Sequence, residues 1–111
     1  MQPRLASSVL VGALIRSAEA QGGFGAVLAR GDATAGAVAL VLAEKGVAVG
    51  FLERRLGIDA DYRWEDSGQA VDPGSIAALI ARRRRADPDL WVVELDVPSA
   101  ERFVAEMKDL G

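Results

Sequence analysis

The chain has 111 residues, of which 50% are hydrophobic, and its formal net charge is −3. This length is enough for one domain to bury a core without disulfides or metals, and the charge gives no overall electrostatic case for binding nucleic acid or an anionic membrane. Cysteine and histidine are both absent, which excludes disulfides, thiolate zinc sites and Cys or His nucleophile–base pairs. We therefore expect a single compact domain over residues 1–111, without a cofactor or metal.

A short apolar run near the N-terminus imitates a secretory signal. It covers residues 9–15, follows Arg4 and precedes Ala-Glu-Ala at 18–20, which fits a signal cleavage site. Arg16 interrupts the passage from the run to that site, and the run is near the short limit and contains Gly12. No other apolar stretch approaches the roughly 20 residues of a membrane span. We expect a cytoplasmic protein that does not span a membrane.

The same segment has the pattern of an amphipathic helix. Leu10, Leu14 and Ile15 share one arc of a helical wheel, and polar residues occupy the opposite arc. The glycines at 22–23 predict its end, since glycine accepts the left-handed conformation common just after a helix. The start stays open, because residues 5–10 are also compatible with a short strand.

Three strand-length runs follow at residues 24–30, 37–43 and 47–53, and their short connections predict an antiparallel meander of hairpins. One side of the meander is bulky, the other is mostly alanine and glycine, and neither is polar. The predicted bulky side comprises Phe24, Ala26, Leu28, Val38, Leu40, Leu42, Val47, Val49 and Phe51. A half-solvated sheet shows polar residues on its outer side, so both sides are expected to be covered. The small side is covered either by a helix of the same chain or by a second subunit, which makes a homodimer one expectation.

The connection at residues 31–36 is predicted to be a hairpin loop. The Asp32 carboxylate can accept hydrogen bonds from backbone N–H groups two residues on, and the flanking glycines permit positive φ. The alternative is an anion-binding nest beside Arg30. We favour the hairpin loop because no Gly-Lys-Ser/Thr sequence follows to form a phosphate-binding loop.

Residues 53–73 are polar, with charged residues around Tyr62 and Trp64. The alternation of residues 62–65 predicts a short edge strand. The carboxylates of this stretch also suggest a metal or acid–base site. Because arginines are interleaved with them and no calcium-loop pattern follows, we favour a solvated segment joined by salt bridges.

A helix is predicted to begin at Asp72-Pro73, with the aspartate as its cap and proline in its first turn. It carries four consecutive arginines, Arg82, Arg83, Arg84 and Arg85. At 100° per residue these side chains point in four directions and do not form one flat cationic face. Pro88 disfavours helical geometry at Asp87 and ends the helix there.

The arginine run has two interpretations. Cations in the last turn of a helix complement its dipole, and Arg83, on the apolar side, is expected to pair with a nearby carboxylate. Its candidate partners are Asp87, Asp89 and Glu94. The alternative is binding to phosphate or RNA. We favour the structural interpretation.

Residues 90–96 are the most strand-like run of the chain, with Trp91, Val93 and Leu95 on one side. Trp91 is predicted to be a core or interface anchor rather than a stacking platform, because apolar β-branched residues surround it. Apolar residues at helical spacing predict a last helix over 99–110. The predicted fold is α+β, an antiparallel β-meander sheet of about five strands packed with two or three helices.

Two motifs of the chain occur together in a known family. The first is Arg-Gly-Asp at 30–32 with Ala-Gly-Ala-Val at 35–38, and the second is RRRADPDLWVVE at 83–94. In order and spacing they resemble a family of small bacterial proteins, domain of unknown function 1491. The resemblance covers approximately residues 4–96, and the helix after Asp96 differs from the family's polar tail. It implies a compact cytoplasmic α+β domain without an established activity, in which the apolar N-terminal run belongs to the domain.

Three functional hypotheses follow. The favoured one is a non-catalytic interaction or regulatory module that self-associates as a homodimer or binds a protein partner. The second is a binder of nucleic acid or a phosphate ligand, which the composition disfavours. Its arginines would be Arg30, Arg54, Arg55, Arg63, Arg82, Arg84 and Arg85. The third is a carboxylate-dependent hydrolase. Its carboxylates would be Asp32, Glu53, Glu65 or Glu94.

No catalytic, cofactor or metal residue is assigned from the sequence. The candidate binding or structural residues are Arg30, Asp32, Arg82, Arg83, Arg84, Arg85, Asp87, Asp89, Trp91 and Glu94.

Overall fold

The computed structural model describes residues 5–66 and 73–107. In chain order the elements are α1 (Ser7–Ala20), β1 (Phe24–Ala29), β2 (Val38–Glu44), β3 (Val47–Leu56), β4 (Tyr62–Asp66), α2 (Pro73–Ala86), β5 (Trp91–Asp96) and α3 (Ala100–Met107). The predicted α+β class is confirmed. The predicted helix cap at Asp72 and the predicted helical residues 108–110 lie outside the described residues.

The first helix begins at Ser7, so residues 5–10 do not form a strand. No side chain caps its first turn; instead the backbone N–H groups of Ser7 and Ser8 donate to the carbonyl oxygens of Thr34 and Ala33, at 3.1 and 2.9 Å. Two of the N–H groups that a helix start leaves unpaired are thereby satisfied. The loop before β2 therefore fixes where α1 starts.

The strands form one sheet in the order β1-β5-β2-β3-β4. β5 lies between β1 and β2, antiparallel to β1 and parallel to β2, so the predicted β1–β2 hairpin is wrong and the sheet is mixed. β2 and β5 are buried along most of their length, and strands covered on both faces occupy the middle of a sheet. β1 contains several exposed residues and takes the outer position. The β2–β3 hairpin and the edge position of β4 are as predicted.

Each face of the sheet carries its own apolar cluster. The α1/α3 face packs Leu10, Leu14, Ala18, Phe103 and Met107 of the helices on Val38, Leu40, Leu42, Leu52, Trp91, Val93 and Leu95. The α2 face packs Ile76 and Leu79 on Ala39, Val41, Phe51 and Val92. The small residues of β2 are thus covered by a helix of the same chain, so a subunit contact over them is not available. The predicted sidedness of β1 is wrong, because Gly25 and Val27 lie opposite Leu95 and Val93 on the α1/α3 face.

A bulge in β3 corrects the predicted sidedness of Phe51. The two-residue turn at 45–46 aligns Glu44 with Val47, but Leu42 lies opposite Gly50 and Ala43 opposite Ala48. One residue of β3, Val49, is therefore extra, and each residue after it changes face relative to β2. Phe51 lies under α2, opposite Val41, rather than beside Leu40.

None of the helices within residues 5–66 and 73–107 is long and apolar enough to cross a membrane.

Candidate functional site

The two motifs singled out in the sequence meet at one end of the sheet. We call residues 30–36 and 84–91 together the motif junction. The indole Nε1 of Trp91 donates to the backbone carbonyl of Asp32 at 2.7 Å, and the backbone N–H of Asp32 donates to the carbonyl of Asp89 at 3.0 Å. The Arg30 guanidinium lies 5.7 Å from the centre of the Trp91 ring, within the range of a cation–π contact. Trp91 is 3% exposed, so it is a core anchor and offers no surface.

The Asp32 carboxylate holds its own loop. Its Oδ2 accepts hydrogen bonds from the backbone N–H groups of Thr34 and Ala35, at 3.2 and 2.8 Å, and the N–H of Gly36 donates to the Asp32 carbonyl at 3.2 Å. The local turn is as predicted, although the loop carries the chain past β5 instead of closing a hairpin. Since the amides that would form an anion nest are bonded within the loop, the structure gives the nest no support.

Two glycines allow this loop to touch the turn before β5. A Cβ on Gly31 or on Gly36 would overlap the carbonyl oxygen of Asp89. Glycine is therefore required at both positions for the backbones to approach this closely. The side chain of Asp87 orders the same turn, because its Oδ1 accepts the backbone N–H of Asp89 at 3.0 Å.

Arg84 ties the junction together. Its Nη1 donates to the carbonyl oxygens of Pro88 and Leu90 at 2.6 and 2.8 Å, and lies 3.3 Å from the carbonyl oxygen of Arg30. One guanidinium thus joins α2 to the turn at 86–90 and to the end of β1. This contact was not predicted, because the pattern of side chains in a sequence does not show where backbone carbonyl groups lie.

Arg83 pairs with Glu53, so the predicted pairing with Asp87, Asp89 or Glu94 is wrong. Its Nε and Nη2 lie 2.9 and 2.8 Å from Oε1 of Glu53. The reason is register: Glu53 of β3 is opposite Ala39 on the α2 face, whereas Glu94 of β5 is opposite Val41, two residues further along β2.

The remaining arginines are dispersed. Arg82 and Arg85 are exposed on α2, and Arg84 is turned toward the junction, in agreement with the predicted spread of directions. Arg54 lies 4.0 Å from the centre of the Tyr62 ring, and Arg63 forms an ion pair with Asp59. These side chains do not assemble into a single cationic surface on the described part of the chain.

The four carboxylates of the hydrolase hypothesis do not converge. Glu53 and Glu65 face each other across β3 and β4, and Arg55 bridges them at 2.9 and 3.1 Å. Asp32 lies in the motif junction and Glu94 lies on β5. Within residues 5–66 and 73–107, no group of three or more acidic, histidine or cysteine residues could hold a metal ion.

Comparison with known proteins identifies the family. A family model described as "Protein of unknown function (DUF1491)" matches residues 5–105. The chain belongs to the DUF1491 family. The match reaches into α3, so the predicted limit of the resemblance at Asp96 is corrected. Phe103 of α3 is fully buried in the core.

Solved DUF1491 proteins share this fold. The solution structure of Atu0922 from A. tumefaciens is 34% identical, with a TM-score of 0.78 over 91% of this chain and 92% of that chain. An NMR structure of a DUF1491 family protein from Caulobacter crescentus CB15 is 32% identical, with a TM-score of 0.80 over 92% and 94% of the two chains. A crystal structure of a DUF1491 family protein from the same organism is 32% identical, with a TM-score of 0.79 over 89% of this chain and 94% of that chain. A search of curated proteins found no match.

The sequence prediction missed one surface, the outer edge of β1. Phe24, Val27 and Leu28 are 58%, 45% and 50% exposed, although the prediction placed this strand in a hairpin. The signal was present in the sequence, because Phe24–Ala29 contains neither a charge nor a proline. Edge strands usually carry charges or prolines, so β1 departs from the usual composition of an edge.

Proposed function

We propose that this DUF1491 protein is a small non-catalytic interaction module that binds a protein partner along the free edge of β1. The motif junction supports a structural rather than a chemical use of the family motifs. Asp32, Arg84 and Trp91 direct their polar groups at backbone atoms of their own chain. The binding surface is therefore to be sought outside the junction.

The observation that carries the proposal is the contrast between the two sheet edges. β4, one edge, has the sequence YRWED and presents three charged residues, the usual protection of an exposed edge against unwanted pairing. β1, the other edge, has the sequence FGAVLA and no charge. An unprotected edge with exposed Phe24, Val27 and Leu28 is suited to receive another strand.

Strand addition supplies affinity and selectivity by separate means. The unpaired N–H and C=O groups of an edge strand give main-chain hydrogen bonds, and the alternating side chains give selectivity. The six residues of β1 extend over about 20 Å. This length accommodates one strand of a folded partner or an extended peptide.

We place this activity in the cytoplasm. The apolar run that imitates a secretory signal forms α1, and Leu10 and Leu14 are fully buried in the core. Cleavage after residue 20 would remove both side chains from the cluster on the α1/α3 face. Retention of the segment is therefore required for the fold.

A tagged pull-down from the native cell, cross-linked with formaldehyde before lysis so that weak complexes are retained, and run with and without nuclease, tests the proposal. The variant is Val27→Lys, which places a charge on the β1 edge, and the matched control is Val47→Lys, which makes the same change at a site that is 63% exposed beside the β2–β3 turn. We expect one or two proteins to be recovered by the wild type and by Val47→Lys, resistant to nuclease, and lost with Val27→Lys. Recovery that disappears with nuclease, or that is equal for both variants, would refute the proposal.

A further inference from the structure

We infer that the partner of the β1 edge is β1 of a second copy of this chain, paired antiparallel about a twofold axis. This inference rests on the proposed function and names the occupant of the same edge. The two sheets would join into one continuous sheet. Three features of the strand support a second copy over an unrelated strand: its sidedness, its exposed apolar side chains and the charges at its two ends.

Sidedness restricts the register. Gly25 and Val27 lie opposite Leu95 and Val93, on the α1/α3 face, whereas Ala26 lies opposite Glu94 and points to the α2 face. Residues directly opposite each other in antiparallel strands share a face. A twofold axis through Ala26 satisfies this condition, because it sets Ala26 against Ala26 and Gly25 against Val27 of the second copy. An axis between Ala26 and Val27 violates it.

The same register brings the exposed apolar side chains of the two strands together. Leu95 Cδ2 and Ile15 Cγ1 fill the space over Gly25, where a Cβ would lie 2.8 and 2.9 Å from them. Val27 of the second copy, opposite Gly25, would therefore pack beside the partly buried Ile15. Phe24 of one copy would lie opposite Leu28 of the other, next to the irregularity of β1 between Val27 and Ala29. Each exposed apolar residue of β1 thus gains an apolar neighbour.

The charges beside β1 are complementary in this arrangement. Arg30 directly follows the strand and lies on the α1/α3 face, against Trp91. Glu19 lies in the last turn of α1, on the same face, just before the strand starts. Both side chains are exposed. Antiparallel pairing brings the end of one β1 beside the start of the other. Arg30 of each copy therefore lies at the same end of the interface as Glu19 of the other copy, and the twofold axis repeats this arrangement. Parallel pairing would place like ends together.

The size of the contact sets the strength that we expect. A stable interface buries about 800 Å² on each partner, and a six-residue edge with three exposed apolar side chains offers less than that. The dimer should therefore dissociate on dilution, with a dissociation constant on the order of 10 μM.

A single cysteine provides the test. The chain has no cysteine, so Ala26→Cys introduces one exposed thiol on the proposed axis. Opposite residues in an antiparallel pair have Cα atoms about 4.5–5.5 Å apart, which is within the range of a disulfide. We expect oxidised glutathione to convert the full-length variant to a covalent dimer at protein concentrations of about 100 μM. Val47→Cys, an exposed thiol away from β1, is the control and should stay largely monomeric.

Sedimentation of the wild-type chain from about 1 to 500 μM gives a second measurement that does not depend on cysteine. We expect a concentration-dependent dimer, and at least a tenfold higher dissociation constant for Val27→Lys, because the change occurs twice in a symmetric interface. A monomer over the whole range, or equal cross-linking of both cysteine variants, would overturn the second-copy inference. The pull-down tests the proposed function independently. If it recovers a different protein that is lost only with Val27→Lys, the interaction module is supported and the second copy is rejected as its partner.

Discussion

Replacing Arg84 with alanine tests the structural interpretation of the motif junction. The side chain donates to Pro88 and Leu90 at 2.6 and 2.8 Å, with a longer approach of 3.3 Å to Arg30. Hydrogen bonds to a charged group contribute about 1.5–3 kcal/mol each. The side chain is only half-buried, so water replaces part of this energy. We expect Arg84→Ala to lower the free energy of unfolding by about 2–4 kcal/mol.

This loss is large compared with the total stability of a small domain, about 5–15 kcal/mol. At this chain length it corresponds to a fall in Tm of roughly 10–20 °C. Thermal and urea unfolding followed by circular dichroism would measure it. Urea unfolding gives the free energy directly, provided that the slope with denaturant is unchanged.

Arg85→Ala is the matched control. Arg85 lies in the same last turn of α2 and is exposed, so both variants lose the same favourable interaction with the helix dipole, about 0.3–1 kcal/mol. Only Arg84→Ala also loses the carbonyl contacts. If the two variants were destabilised equally, or if Arg84→Ala cost less than about 1 kcal/mol, the hydrogen bonds of Arg84 to the backbone carbonyls would have no energetic role.

Two further stability predictions use the same assay. Arg83→Ala should cost about 1 kcal/mol, because the pair with Glu53 is lost but Arg83 is 41% exposed and Arg55 still contacts that carboxylate. A loss as large as that of Arg84→Ala would contradict the smaller weight given to this ion pair. Gly36→Ala should cost about 2–3 kcal/mol, because its Cβ would overlap the Asp89 carbonyl in a buried position. Its control, Gly46→Ala, should cost only about 1 kcal/mol, since φ is +80° there but no atom lies within 4 Å; the reverse order would contradict the close packing of the junction.

The helices and the outer strand β4 could be predicted from the sequence, because their signals are local. The wheel of residues 8–19, the proline in the first turn of α2 and the alternation at 62–65 each lie within one element. The order of the strands could not be predicted in this way. β5 is inserted between β1 and β2 because both of its faces are covered, a property of the assembled sheet that no single segment shows.

In the candidate site, too, the local contacts could be predicted and the contacts between strands and helices could not. The turn made by Asp32 was predictable, since its partners are two and three residues away. The partner of Arg83 was not, because the register of β3 decides which carboxylate lies beneath α2. The extra residue at Val49 likewise moved Phe51 to the other face. Contacts that depend on register become visible only when strands are paired.

Amide hydrogen exchange on the full-length chain, at low and at high protein concentration, most directly tests β1 as the binding edge and a second copy as its occupant. Among the described residues no strand pairs with the outer edge of β1 or β4, so we expect their outward N–H groups to exchange with solvent in the monomer. We expect those of Phe24–Ala29 to become protected as concentration rises, while those of Tyr62–Asp66 keep the same exchange rates. Protection that appears on β4, or exchange on β1 that is unchanged up to about 500 μM, would contradict it.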